Sequence, residues 1–305
     1  MPTPRAGMID AVTDDLYADV ADEELVRPDG RTVAWTRTGA GTPLLRLPGT
    51  PGSRWSIRGD RSPWVERGLQ VITTERPGFG RSTRLAGRKF REHSDDLAAI
   101  LDHLELDRVY LTGGSGGGPH VLAFAAHHPD RVIAATVTVG FSPLNDDEYD
   151  QMIPLNAKTF RATRDGDEKT VRELLAAPYA AMRTAPLAGL DKSMKTAPAS
   201  DLEVMSDPIW RAAQEKAQTE AFAAGMDGWV DEGFAMGSEW ADIDLTAITS
   251  SLTWWHGRTD RNCPFSAAER LVDKLPTATL RELGGGHFEP HKREAEILDE
   301  LLARS

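Results

Sequence analysis

The 305-residue chain contains one cysteine, Cys263, so no intramolecular disulfide can form and nothing points to an oxidising compartment. On its own, that residue reads as a small buried side chain rather than a catalytic thiol. Long apolar runs are also missing. The opening stretch, MPTPRAGMIDAVTDDLYADV, lacks the unbroken apolar region of a signal peptide, and no later run reaches the roughly 20 residues that span a bilayer. Positive charge is scarce: 35 Lys and Arg face 47 Asp and Glu, for a formal charge of −12. That balance excludes nucleic acid and anionic membranes as favoured partners, because clustered basic residues hold both. Repeats and low-complexity tracts are absent. The expectation is a soluble cytoplasmic protein with a small-molecule partner. With 40% hydrophobic and 27% charged residues, the composition suits one large globular core carrying an insertion.

Within the first 21 residues, Ile9, Val12, Leu16 and Val20 recur at helical spacing between acidic residues. They predict a short amphipathic helix packed on the domain, with a homodimer contact or a flap over a pocket as the alternatives. From Glu24, the run ELV, the turn residues Pro28, Asp29 and Gly30, and the run TVAW predict an antiparallel hairpin. LLRL, LQVITT, RVYLT and VIAATVTV then alternate with helix-like stretches such as HSDDLAAILDHLEL and PHVLAFAAHH. Strands separated by crossover helices predict an α/β fold with a mostly parallel sheet covered on both faces. The alternation stops at Phe141 and resumes near Leu245, where SLTWWHG, a helix from Pro264, the strand TATLREL and a closing helix from Pro290 follow. A core of residues 22–140 and 245–305 is therefore expected, with a helical cap over 141–244 inserted after the sixth core strand. The stretch from Ala185 to Ala199 reads as a loop.

Between VYL and a predicted helix stands LTGGSGGGPH. A phosphate-binding P-loop needs a lysine after the glycines, and none is there. A dinucleotide fingerprint needs a third glycine where Pro119 stands. The spacing that fits is Gly113-x-Ser115-x-Gly117, a turn so tight that the serine backbone is strained and side chains two residues away on either side would collide. A serine hydroxyl requires a histidine base and an acid that orients it. Both follow at the ends of later strands: Asp260 in HGRTDRNCP and His287 in GGGHF. Asp146 and Asp147 are the fallback acids, and His291 competes with His287. His120 could approach the site, whereas His93, His103, His127 and His128 read as surface or capping residues and His256 as structural.

Taken together, LPGTPGSRW, ERPGFGRS, GGSGGGPH, HGRTDRNCP and GGGHF resemble the α/β-hydrolase family on both sides of the insertion. The resemblance implies the α/β-hydrolase fold, with Ser115 as nucleophile, His287 as base and Asp260 as orienting acid. It places the oxyanion hole at the backbone N–H groups of Gly116 and Thr50, and makes ERPGFGRS a structural turn. The chain departs from the family by carrying Pro48 before Gly49 where members usually carry histidine, so hydrogen bonding in that loop must differ.

Trp210, Phe222, Met226, Trp229 and Phe234 lie in the insertion and are the expected substrate-binding residues, forming an apolar, adaptable pocket. Met236 and Trp240 accompany them. The expected activity is that of a serine hydrolase cleaving a small to medium, largely apolar ester, thioester or lactone through an acyl-enzyme. No metal or organic cofactor is needed. The alternatives are a proline-iminopeptidase-like enzyme using Glu203 or Glu232 to bind an amine, a non-hydrolytic cyclase, acyltransferase or lyase, and a ligand receptor with little turnover.

Overall fold

The computed structural model describes residues 16–238 and 240–304. Ile9 and Val12 of the expected amphipathic segment lie outside them. Tyr17 and Val20 are within, and pack on the core beside Trp55, whose ring lies 5.3 Å from that of Tyr17.

Strands β1 (Ala21–Val26) and β2 (Thr32–Thr38) form the antiparallel hairpin at one edge of the sheet. The remaining strands are β3 (Thr42–Leu47), β4 (Leu69–Thr74), β5 (Val109–Gly114), β6 (Val132–Thr138), β7 (Ser251–Gly257) and β8 (Ala278–Leu283). Their spatial order is β1-β2-β4-β3-β5-β6-β7-β8. The hairpin strand β2 pairs antiparallel with β4, and every later pairing is parallel. Adjacent residues on a strand serve opposite faces, as a side-chain period of two requires. Leu45 and Leu111 join Phe124, Leu97 and Trp254 on one face, while Leu44 and Tyr110 join Val71, Trp64 and Leu301 on the other. Central β5 and β6 are therefore buried almost throughout, whereas edge strand β1 is not.

Helices α1 (Ser62–Val65), α2 (Phe90–His103) and α3 (Gly117–His127) connect the first six strands. Between β6 and β7 lies the helical insertion, with α4 (Pro154–Arg164), α5 (Glu168–Thr184), α6 (Ala188–Ser193), α7 (Ala199–Met205), α8 (Pro208–Ala221) and α9 (Asp227–Gly237). The expected loop over 185–199 holds the short helix α6, because Pro186 and Pro198 flank this helix instead of interrupting it. Helices α10 (Phe265–Val272) and α11 (Glu294–Leu302) complete the chain.

The insertion is seated on the loops that leave the carboxyl ends of the strands. Ser53 Oγ donates to the Ala217 carbonyl at 2.9 Å, and Arg84 pairs with Asp231 at 2.7 Å. Among the described residues, no helix is long and apolar enough to cross a membrane.

Candidate active site

The turn after β5 is built on steric necessity. Ser115 has φ = +53°, a left-handed conformation that non-glycine residues rarely adopt. A Cβ at Gly113 would stand 2.7 Å from Val121 Cγ2, and one at Gly117 would stand 2.2 Å from the Leu47 carbonyl oxygen. Only glycine fits at either position. The strained serine is held by its neighbours: its N–H donates to Thr138 O at 2.9 Å, and its carbonyl accepts from Gly118 N and Phe141 N, both at 3.0 Å.

Asp260 follows β7 and His287 follows β8, so parallel pairing of these strands delivers both residues to the same rim. His287 Nδ1 lies 2.7 Å from Asp260 Oδ2. The other carboxylate oxygen accepts the N–H groups of Asn262 at 2.7 Å and Cys263 at 3.0 Å. Burial works to raise the Asp260 carboxyl, but the His287 imidazole, His256 and the Cys263 N–H outweigh it and leave it below the usual range. For His287, burial works to depress the imidazole, and the Asp260 carboxylate more than compensates, so its pKa lies above the ordinary 6.5. The insertion also reaches this loop. Asp201 Oδ1 on α7 accepts the Phe288 N–H at 3.1 Å, and Ser200 Oγ accepts that of Gly286 at 3.3 Å.

On the opposite side of Ser115 lies the loop after β3. Here the side chain of Arg76 holds the loop on which Pro48 stands. Its guanidinium donates to Pro48 O at 2.6 Å, to Gly49 O at 2.7 Å and to Thr50 Oγ1 at 3.0 Å. ERPGFGRS therefore does more than turn the chain. A Cβ at Gly116 would overlap Thr50 Oγ1 at 2.1 Å and meet Met236 Sδ at 3.2 Å, so these three residues converge beside the serine.

Behind that loop is a fully buried cluster centred on Glu232 of α9. Its carboxylate meets Arg76 Nε at 3.1 Å, His120 Nε2 at 3.1 Å, Thr50 Oγ1 at 3.2 Å and, at close range, Arg88. Burial alone would raise this carboxyl; Arg76, His120 and Arg88 together hold it well below its usual range. Burial pushes His120 down to about 4, assisted by the two arginines and against the pull of Glu232. A neutral His120 that donates from Nε2 presents a bare Nδ1, which accepts from His93 Nδ1 at 2.9 Å. That tautomer leaves His93 Nε2 without a partner, as observed.

Several expectations are corrected by this arrangement. His93 is buried against α3 and is not a surface residue, because α2 packs its polar-looking face on the nucleophile-turn helix. His120 is spent on Glu232. His291 is not on an exposed helix start: a 3₁₀ turn over Glu289–Arg293 brings the ring edge-on to Trp210, at 5.8 Å, and beside Arg58. Burial and that arginine push its pKa down to about 3. Asp146 is exposed and paired with Arg164, and Asp147 is exposed as well. Of the five expected substrate-binding residues, Phe222 packs on Tyr179 and Trp229, and Met226, Trp229 and Phe234 pack on Val171, Leu175 and Val230. These contacts lie within the insertion, since helical periodicity marks an apolar face without naming what it faces. Trp210 stands edge-on to Phe288, next to His287, at 5.3 Å.

With this geometry in place, comparison with known proteins is direct. The sequence model of the alpha/beta hydrolase fold matches residues 42–291. The chain belongs to the α/β-hydrolase family. This α/β hydrolase is 29% identical over 275 residues to a 2-hydroxy-6-oxo-2,4-heptadienoate hydrolase of Pseudomonas putida, covering 87% of this chain and 90% of the relative. It is 32% identical over 130 residues to the uncharacterized hydrolase YcgS of Bacillus subtilis, spanning 41% of this chain and 45% of that protein's length. Among solved structures, an esterase from Exiguobacterium antarcticum superposes with a TM-score of 0.67 at 19% identity, covering 92% of this chain and 100% of the esterase. The chain is thus a hydrolase in fold and kinship.

Proposed function

We propose that the protein is a serine hydrolase that cleaves a small to medium, largely apolar ester, thioester or lactone through an acyl-enzyme. The observation that carries this reading is the 2.7 Å contact between His287 and Asp260 at the rim where Ser115 stands on its strained turn. In this reading, Ser115 Oγ attacks the acyl carbon and gives its proton to His287 Nε2, and Asp260 holds the imidazolium that results. The carbonyl oxygen becomes an oxyanion facing the N–H groups of Gly116 and Thr50. His287 then hands the proton to the leaving group, which departs. Water repeats the sequence on the acyl-enzyme, and the carboxylic acid leaves. The insertion acts as a cap, with Met236 beside Gly116 and Trp210 edge-on to Phe288.

Ester over peptide is supported by the state of the two carboxylates an aminopeptidase would use. Glu232 is enclosed by Arg76, Arg88 and His120, and exposed Glu203 pairs with Lys292. Glu232 is thereby closed to a substrate amine, and Glu203 already has a cationic partner. Intact-mass measurement after fluorophosphonate treatment tests the reading. The wild type gains one phosphonyl group and Ser115→Ala gains none, and a panel of esters of increasing acyl length then sets the preference. A folded wild type that stays unmodified overturns it.

A further inference from the structure

Cys263 lies three residues beyond Asp260, where the loop after β7 turns into α10. Its backbone is fixed on both sides: the N–H donates to Asp260 Oδ1 at 3.0 Å, and the carbonyl meets His256 Nε2 at 2.8 Å. The thiol consequently faces inward and is buried. An Asp260 carboxylate oxygen, the Cys263 sulfur and a His287 ring nitrogen lie within 4.8 Å of one another. We propose that Asp260, Cys263 and His287 form a binding site for a zinc-like divalent cation, and that its occupation switches the hydrolase off. The inhibitory effect rests on the serine-hydrolase reading; the binding does not.

One oxygen, one sulfur and one nitrogen donor suit a borderline-soft ion in tetrahedral coordination, with water as the fourth ligand. Bonds of about 2.0 to 2.3 Å put such donors roughly 3.5 Å apart, so atoms 4.8 Å apart close by little more than ~1 Å, while the Asp260–His287 pair, 2.7 Å apart, opens to admit the ion. On binding, the thiol proton leaves for solvent, and thiolate plus carboxylate neutralise the dication within the buried site. Without the sulfur, one carboxylate would face a dication and leave an uncompensated buried charge. Coordination through either ring nitrogen disables the histidine. At Nε2 it occupies the lone pair that accepts the serine proton, and at Nδ1 it replaces the bond to Asp260. Because binding expels a proton, affinity rises with pH.

The test uses the full-length protein stripped with a chelator. Cadmium is titrated while the ultraviolet charge-transfer absorption of a cadmium–thiolate bond is followed. Zinc is titrated in parallel against hydrolysis of a p-nitrophenyl ester and against fluorophosphonate labelling. The wild type is expected to bind one cadmium with a thiolate band, and zinc should block both hydrolysis and labelling until chelator is added. In Cys263→Val the band disappears, and half-inhibition by zinc requires roughly 100-fold more metal. Cys263→Ser serves where the valine variant does not fold, and it too should lose the band. A folded wild type without the band, or variants as sensitive to zinc as the wild type, would overturn the site. If the metal-free wild type does not label, the serine-hydrolase reading fails, and the cadmium band still decides whether the cation site exists.

Discussion

Two buried carboxylate–histidine pairs flank Ser115, and they behave in opposite ways. On one side, Asp260 contacts His287 at 2.7 Å and holds its pKa above the ordinary value. On the other, Glu232 contacts His120 at 3.1 Å, yet His120 is pushed down to about 4. His120 is fully enclosed while His287 keeps 11% exposure, and burial is the largest influence depressing each. Arginine adds to the difference. Glu232 shares its charge with Arg76 and Arg88, whereas the charge of Asp260 is met by histidines and backbone N–H groups. The first arrangement makes a fixed brace between α9 and the loop after β3; the second leaves an imidazole that can gain and lose a proton near neutral pH.

Breaking the second pair gives the largest expected effect. Asp260→Asn should lower kcat by about 10⁴, as loss of the orienting acid in such a triad does. In the proposed mechanism the base must be neutral to act, so wild-type kcat/KM should fall as pH drops through the raised His287 pKa, above 6.5. Removing the carboxylate lowers that pKa, so the residual activity should carry its acid limb to lower pH. A pH–rate profile that keeps the wild-type limb in Asp260→Asn would break the comparison. Next in size is Glu232→Gln, which strands two buried guanidiniums and should cost about 3–5 kcal/mol of stability. Urea unfolding of the two proteins measures it. A loss below ~1 kcal/mol would mean the arginines find other partners.

The difference between these two sites also marks what the sequence makes legible. Ser115, Asp260 and His287 each end a strand whose apolar run is plain, and the glycines around Ser115 are demanded by local sterics that spacing reveals. The brace is invisible at that level. Thr50 and Glu232 are 182 residues apart, and only the docking of α9 on the strand-end loops brings them together. Arg76 reads as part of a turn because its forked hold on Pro48 and Gly49 depends on a second loop. Likewise, Phe222 and Trp229 are apolar residues of an insertion in any reading. Whether they line a pocket or fill a core is settled by helix packing, which periodicity does not encode. A polar string such as FREHSDD gives no hint that His93 turns inward, since its burial depends on α3 offering a hydrogen-bonding partner.

Arg76→Lys sharpens the comparison with a smaller effect. Lysine keeps one positive charge near Glu232 but loses the fork that grips both carbonyls. The Thr50 N–H then drifts from the serine, so kcat should fall by about 10²-fold while KM changes little, the signature of a lost oxyanion donor. Steady-state kinetics on one ester suffices, and an unchanged kcat would remove Thr50 from the oxyanion hole.

The smallest effect is expected at His120. Its pKa of about 4 leaves it neutral throughout the working range, so it contributes a hydrogen bond and no titration. His120→Gln retains an N–H that can reach Glu232 and should leave the shape of the pH–rate profile between about pH 5 and 9 unchanged. The two pairs predict contrasting results from the same measurement, because only one of them holds a histidine that ionises in that window. A shift of the acid limb in His120→Gln comparable to that in Asp260→Asn would mean that the arginines do not silence His120, and that the brace and the triad titrate as one coupled unit.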